Sequence, residues 1–489
     1  MENTFRQRFI KNLSLLYLAT FISKVFALII NIILIRRLGA SLYGAYGFAL
    51  TFVTYFTFIA DSGLSPYGET TISKDRANAG WIAGDIFSFN LAASIFSTIL
   101  MLVLVINIFK FGQIETDMLL LILFLPLIDS FGFVYVIKAL EKNYILALSA
   151  FTGRLIYFLG ILIFIVNRTN YLLAILFFII GALITSIIQF GFVKKIIGKI
   201  KLNFSIKNFK HLILNALPFG LVSGFIIVYT SLPVMFLKMF SSDKNIGYYY
   251  ITNRLVVFIF IFFNLMSGAF IPIISEAIKN NDSDKQSHIL SELLRFAYTF
   301  SIPICFGGFV ISKLIVLKFF GSNYILSASL LRIMVWSIFF VAVSSVFLGY
   351  LTSINDRKNM IFAAAITMLA GLIFSSLLIK LYGVYGSAAA NLLIEFTMSL
   401  SLIILTIKKH GGYGRIKFKI YKSNLIKVLL ISAVMAYIVR ILVISLHFGL
   451  ILGVISGILI YAVLSLLFKT LKSEDIKELK AVMFKANKN

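Results

Sequence analysis

The residues of this chain that could do chemistry are the ionisable groups standing inside long apolar runs. Lys24, Asp129, Arg154, Arg254, Arg332 and Glu395 each lie within a mostly apolar stretch. Each stretch has about 20 residues or more, the length that crosses a bilayer as a helix. A charge at such depth costs roughly 2.5–3.5 kcal/mol on insertion scales, and it usually faces a partner or a cavity. Lys24 is the sharpest case. Tyr17, Thr20, Lys24, Ala27 and Asn31 recur at spacings of three and four, so they share one face of a helix. That face predicts a cavity wall on which Lys24 and Asn31 meet a ligand. The alternatives are a lysine that snorkels to the interface or one held in a structural ion pair. Asp129, just after Pro126, is the candidate counter-charge or a titrating group. Glu395, one turn after Asn391, is a second. Gly47, Thr51, Thr54, Phe58 and Asp61 form another shared face, on which Asp61 caps or anchors the helix end. Arg154, Arg254 and Arg332 lie nearer the interfaces, where an arginine can snorkel, and Arg440 reads as an anchor. Together with Lys24 they outnumber the buried carboxylates. The expected interior is therefore net positive and suited to an anion, phosphate above all.

These groups need helices to hold them. The chain is 60% hydrophobic and only 13% charged, against roughly a quarter charged in soluble domains. Fourteen apolar runs are long enough to span, near 13–35, 42–64, 82–109, 117–139, 144–166, 170–193, 212–237, 246–274, 292–312, 326–351, 360–380, 384–407, 425–446 and 449–468. The expectation is an all-α, multi-pass membrane protein. Most Lys and Arg fall in alternate connections, including Lys194 to Lys210, Lys408 to Lys427 and Lys469 to Lys488. That bias places both termini in the cytoplasm. It also explains the net charge of +26 without nucleic acid. The basic connections set topology and can meet anionic lipid headgroups. No connection is large enough for a catalytic domain, so an enzyme, such as a membrane polymerase, is not expected. Four scattered histidines and the single Cys305 offer no zinc site and no internal disulfide.

The chain also hints at duplication. The turn Leu38 to Tyr46 and the turn Met239 to Tyr249 both end in Gly-x-Tyr and lead into long spans. The layout read from this is a lobe over 1–200, a second over 201–410, and two further spans with a basic tail over 411–489. Repeated halves are frequent in secondary transporters. Pro218, Gly220 and Gly224 mark a hinge for alternating access, or simply close helix packing.

The stretch IRRLGASLYGAYGFALTFVTYFTFIADSGLSPYGETTISKDR resembles the opening of bacterial oligosaccharide flippases, the polysaccharide branch of the multidrug/oligosaccharidyl-lipid/polysaccharide superfamily. The resemblance rests on Leu38-Gly39 to Tyr46, on Asp61-Ser62-Gly63-Leu64 through Tyr67-Gly68 to Arg76, and on Gly383 to Phe396. It implies two helical bundles around a cavity in a bacterial cytoplasmic membrane. It implies a cargo of undecaprenyl-pyrophosphate-linked repeat units, flipped outward for O-antigen, capsule or a related polysaccharide, with polymerase machinery as a partner. Lipid II flippase relatives carry an essential arginine in a Ser-Arg pair of the first span. Here Ser23-Lys24 keeps the charge but loses the bidentate fork. Drug-exporting relatives depend on cavity carboxylates, which the net positive interior disfavours. The drug antiporter and the lipid II flippase remain the alternative readings. No cofactor is expected. Coupling to H+ or Na+ through Asp129 or Glu395 is an expectation that no motif fixes.

Overall fold

The computed structural model describes the backbone of residues 2–280, 282–410, 419–445 and 449–470. For residues 2–20, and at 168, 266, 269, 270, 272 and 410, only the backbone is described. Tyr17 and Thr20 of the polar stripe, the 411–418 part of the basic connection, His447, and the basic tail beyond Thr470 therefore lie outside the described side chains.

Every described element is helical. Inside lipid no water is available to backbone N–H and C=O groups, and a helix satisfies them within its own segment. The helices are α1 (Glu2–Asp61), α2 (Leu64–Lys74), α3 (Ala79–Val103), α4 (Gln113–Ile122), α5 (Leu125–Ser130), α6 (Val134–Ala139), α7 (Asn143–Phe164), α8 (Tyr171–Ile197), α9 (Ile206–Phe240), α10 (Asp243–Lys279), α11 (Ser283–Phe319), α12 (Ile325–Met334), α13 (Ser337–Ser353), α14 (Arg357–His410), α15 (Lys422–Ser445) and α16 (Leu450–Leu467). Eleven described segments are long and apolar enough to cross a membrane, or twelve when α12 and α13, bent by 45°, count as one.

Two of the longest helices are hairpins. Gly39 in α1 has φ 81° and Gly383 in α14 has φ 56°, a region that glycine enters without penalty. Tyr43 donates to Asn31 Oδ1 at 2.6 Å, although twelve residues of unbroken helix would hold them about 18 Å apart. In α14, Lys409 reaches Asp356 at 2.8 Å and Asn359 reaches the Leu405 carbonyl at 3.5 Å. Both reversals sit where the sequence places turns. Arg37, beside the first turn, directs Nη1 at the carbonyls of Ile161, Leu162 and Ile165 at 2.7–2.8 Å. It thereby satisfies the open C-terminal end of α7.

The chain divides into two compact units, Met1–Tyr250 and Ile251–Asn489. The repeat reading draws its boundary at 200, whereas α9 packs on α1 and α2 and belongs with the first unit. The reason is visible at the Asp-Ser-Gly-Leu turn. Ser62 (φ 47°) and Gly63 (φ 85°) are left-handed, and α9 crosses the turn backbone to backbone. A methyl added to Gly220 would lie 2.6 Å from the Ser62 carbonyl oxygen, and one added to Gly224 would lie 2.7 Å from the Phe58 ring. Gly220 and Gly224 thus serve close packing here, and Pro218 lies inside α9.

In the second unit α11 packs against α12, α13, α15 and α16. Its contact with α15 and α16 is apolar, from Ile311, Ile431, Met435 and Tyr461. Tyr461 hydrogen-bonds the Thr299 carbonyl at 2.6 Å.

Candidate functional site

The first unit holds a cavity of about 580 Å³. Its walls are the second limb of α1 (Thr57, Asp61), the start of α2 (Ser65), α3 (Asn90, Ser94), the α5–α6 region (Asp129, Ser130, Tyr135), α7 (Arg154, Tyr157), α8 (Thr185, Ser186, Gln189) and α9 (Ser223, Ile227). So many polar groups converging inside an apolar chain make this the candidate binding site.

The wall that carries Asp129 is not one straight helix. The sequence predicts a single span over 117–139, and the structure breaks it into α4, α5 and α6. Pro126 opens α5, and Phe133 is left-handed at φ 47°. Non-helical backbone at membrane depth survives where it is buried in protein or lines a cavity and where other groups satisfy it. Hydroxyls from α3 supply that here. Ser94 donates to the Pro126 carbonyl at 3.0 Å, and Thr98 lies 3.4 Å from the Leu123 carbonyl. The break turns Asp129 toward the cavity, where its side chain is exposed.

Asp61 is already occupied. Its carboxylate accepts from the Ser65 amide at 3.0 Å, from the Gly63 amide at 3.2 Å, and from the Ser65 hydroxyl. It caps α2, as an acidic side chain at a helix start does. The Asp129 side chain accepts no hydrogen bond from a described residue and has no ion pair within 4 Å among them, while its backbone carbonyl accepts from the Gly132 amide at 2.9 Å. Asn90 is 6% exposed, and its Oδ1 has no described partner.

The opposite end of the unit is closed. Tyr46 and Tyr157 share a 2.6 Å hydrogen bond between their hydroxyls, and Tyr43 packs edge-on against Tyr250 at 5.6 Å. The two Gly-x-Tyr turns meet directly. Gly44 abuts the backbone of Asp243 and Gly247, and Gly247 abuts the Ala40 carbonyl, so neither has room for a side chain. Beside this crossing Lys238 binds Asp243 at 2.7 Å and also pairs with Glu115, which is 4% exposed.

Of the residues the sequence singles out, Asp61, Asp129 and Arg154 line this cavity together. Its ionisable charges are thus two carboxylates and one guanidinium, where a positive interior was expected. Lys24 is exposed on the first limb of α1 and is not among the lining residues. Asn31 is taken up locally, donating to the Ala27 carbonyl at 2.6 Å and accepting from Tyr43. Arg254, Arg332 and Glu395 belong to the second unit. Arg332 is exposed, with Nε 3.1 Å from Ser312 Oγ, and Glu395 is 8% exposed. Asn90, Ser94 and Gln189 were not singled out. The signal for the first two was present, since Asn90, Ser94 and Ser97 recur at spacings of four and three in an otherwise apolar run. Among the described residues no group of three His, Cys, Asp or Glu is placed to hold a metal ion.

A sequence model described as polysaccharide biosynthesis protein matches residues 9–278, and one described as MatE matches residues 218–377. A curated relative, the probable low-salt glycan biosynthesis flippase Agl15 of Haloferax volcanii, is 23% identical over 253 residues, 51% of this chain and 53% of its own length. The chain therefore spans about half the length of that relative. Among solved structures, a lipid II flippase MurJ in an inward closed conformation superposes with a TM-score of 0.75 at 19% identity, covering 93% of this chain and 98% of that one. An inward-facing multidrug resistance MATE family transporter of the MOP superfamily gives 0.65 at 12% identity, covering 83% and 95%. At these identities the two structures show a shared fold.

Proposed function

The chain belongs to the polysaccharide biosynthesis protein family, and from that membership we propose that it is a non-enzymatic flippase of a lipid-linked glycan. The cargo in this reading is an undecaprenyl-pyrophosphate-linked oligosaccharide repeat unit. It moves from the inner to the outer leaflet of the bacterial cytoplasmic membrane by alternating access. The observation that carries the reading is the family match over 9–278, which contains the polar cavity of an otherwise apolar chain. The flippase named in the Haloferax volcanii relative and the MurJ-like fold support it.

The pyrophosphate needs a cation that it can reach. Lys24 is exposed on the first limb of α1, and Arg154, Arg254 or Arg332 would assist it. Asp129 or Glu395 would couple the cycle to H+ or Na+. In this reading α1 and α14 each cross twice, the bent pair α12 and α13 crosses once, and both ends lie inside. Cys305 is buried, so single cysteines introduced into each connection report its side by labelling in intact cells.

Lys24→Ala is expected to abolish surface glycan while the protein still inserts, and Lys24→Arg to retain part of the activity. Normal surface glycan with Lys24→Ala would remove Lys24 from the mechanism. A drug antiporter is the second reading, favoured by the two cavity carboxylates and the MatE match. Resistance to cationic dyes in cells expressing the protein, with no effect on surface glycan, would establish it instead.

A further inference from the structure

The connection between α8 and α9 is pinned to the start of α3. Residues 198–205 lie between the apolar segments Tyr171–Ile197 and Ile206–Phe240. A methyl added to Gly84 would lie 2.1 Å from the Lys201 carbonyl oxygen, so this strap crosses α3 backbone to backbone. The Asn203 amide donates to Ser88 Oγ at 2.8 Å, and Asn203 Nδ2 donates to Asp85 at 2.9 Å. A connection that only set topology would need none of these contacts, because the positive-inside bias counts charges and not their geometry. The pinned strap holds unlike groups together at the surface. Lys201 Nζ stands 4.0 Å from the centre of the Trp81 ring, within cation–π range. Trp81 is 55% exposed, and its indole N–H donates to no described residue. Lys199 and Lys201 are exposed and have no ion pair among the described residues. Leu202, Phe204 and Ile206, at every second position, are each more than half exposed.

The second unit holds a strap of the same build whose polar groups are matched. The Lys419 amide donates to Ser291 Oγ of α11 at 2.8 Å. Its aromatic residue, Tyr421, donates to Glu292 at 3.1 Å, and Glu292 pairs with Arg295 at 2.6 Å. At Trp81 and Lys201 no carboxylate answers. Ammonium and indole N–H are donors only, so what they fit is an anion, and phosphate oxygens accept from both. The apolar residues beside them fit something else. A row of exposed large apolar side chains marks a partner or a membrane, and tryptophan at the end of a spanning helix sits at headgroup level. A phospholipid joins the two chemistries in one molecule. We propose that the 198–205 strap, with Trp81, is a docking site for an anionic phospholipid of the leaflet it faces. Lys201 and the Trp81 N–H take the phosphate, and Leu202, Phe204 and Ile206 lie against the acyl chains. None of these residues lines the cavity, so the site stands whatever the cavity carries.

The test uses full-length protein reconstituted in vesicles of phosphatidylglycerol and phosphatidylcholine. The chain has two tryptophans, and Trp336→Phe leaves Trp81 as the reporter. Its fluorescence is quenched by lipids brominated on their acyl chains, with the bromine carried by one lipid and then by the other. Trp81 is expected to prefer phosphatidylglycerol by about fivefold or more, and Lys201→Gln to lower that preference about fivefold, the effect of one charge near an anionic surface. Lys201→Arg is expected to keep it. Lys110, exposed beyond the far end of α3, is the control, and Lys110→Gln is expected to change nothing. Native mass spectrometry repeats the comparison with both tryptophans in place, where Lys201→Gln is expected to retain less phosphatidylglycerol than the unaltered protein. Equal quenching by the two lipids, or none by either, would overturn the docking site. So would an unchanged preference in Lys201→Gln, an equal fall in Lys110→Gln, or relief of the quenching by inorganic phosphate.

Discussion

The two ends of the 1–250 unit treat buried polar groups in opposite ways. Where α4, α9 and α10 meet, Lys238 stands between Glu115 and Asp243 and the charges answer one another. At the cavity, the Asp129 side chain faces open space with no described partner, and Asn90 Oδ1 is buried without one. Both ends hold carboxylates within an apolar chain, so burial alone does not separate structure from function. Satisfaction does. A closed network holds helices together, and an open one leaves a carboxylate free to meet a ligand.

The comparison breaks most visibly at the closed end. Lys238→Ala leaves two carboxylates facing each other without their cation. Removing one partner of a buried pair costs about 3–5 kcal/mol, so a large fall in the thermal midpoint of the purified protein is expected. Replacing the trio together, with Lys238→Met, Glu115→Gln and Asp243→Asn, should recover much of that loss. A single variant as stable as the unaltered protein would show that the trio is not structural. Next in size is the glycine crossing. Gly44→Ala or Gly247→Ala puts a methyl into backbone atoms, an overpacking of about 1–3 kcal/mol. Gly191 in α8, which has nothing within 4 Å of an added methyl, is the control. There Gly→Ala should gain up to about 1 kcal/mol by helix propensity. Tyr43→Phe removes one hydrogen bond to Asn31 and should lower stability by about 1 kcal/mol. The smallest effect on stability is expected at the open end. Asp129→Asn and Asn90→Leu should leave the thermal midpoint unchanged or raise it, and Asp129→Asn should lower surface glycan. Unfolding of either variant would place these residues with the closed network instead.

The opening motif shows what was legible. Asp61-Ser62-Gly63-Leu64 reads from sequence as a helix boundary with a capping carboxylate, and the structure places Asp61 on the Ser65 amide. The glycines at 39 and 383 were legible as turns for the same reason, since a positive φ is a local demand with few residues to meet it. The broken wall over 113–139 was legible only at Pro126, because the hydroxyls that satisfy it come from α3. Lys24 was legible as a costly residue, but its neighbours were not. The stripe that carries it was assigned to a cavity wall, and the cavity lies against the second limb of α1, past the Gly39 reversal.

Sequence alone determined that this chain is a multi-pass helical membrane protein of the polysaccharide family, because hydropathy, helical spacing and turn residues are properties of neighbouring positions. Tertiary structure decided which polar groups are partnered. Glu115 and Lys238 are 123 positions apart, and Asn90 and Asp129 share a wall only because the α4–α6 segment breaks. A hydrogen bond needs about 3 Å of proximity, and proximity between distant helices is set by packing that no local pattern encodes.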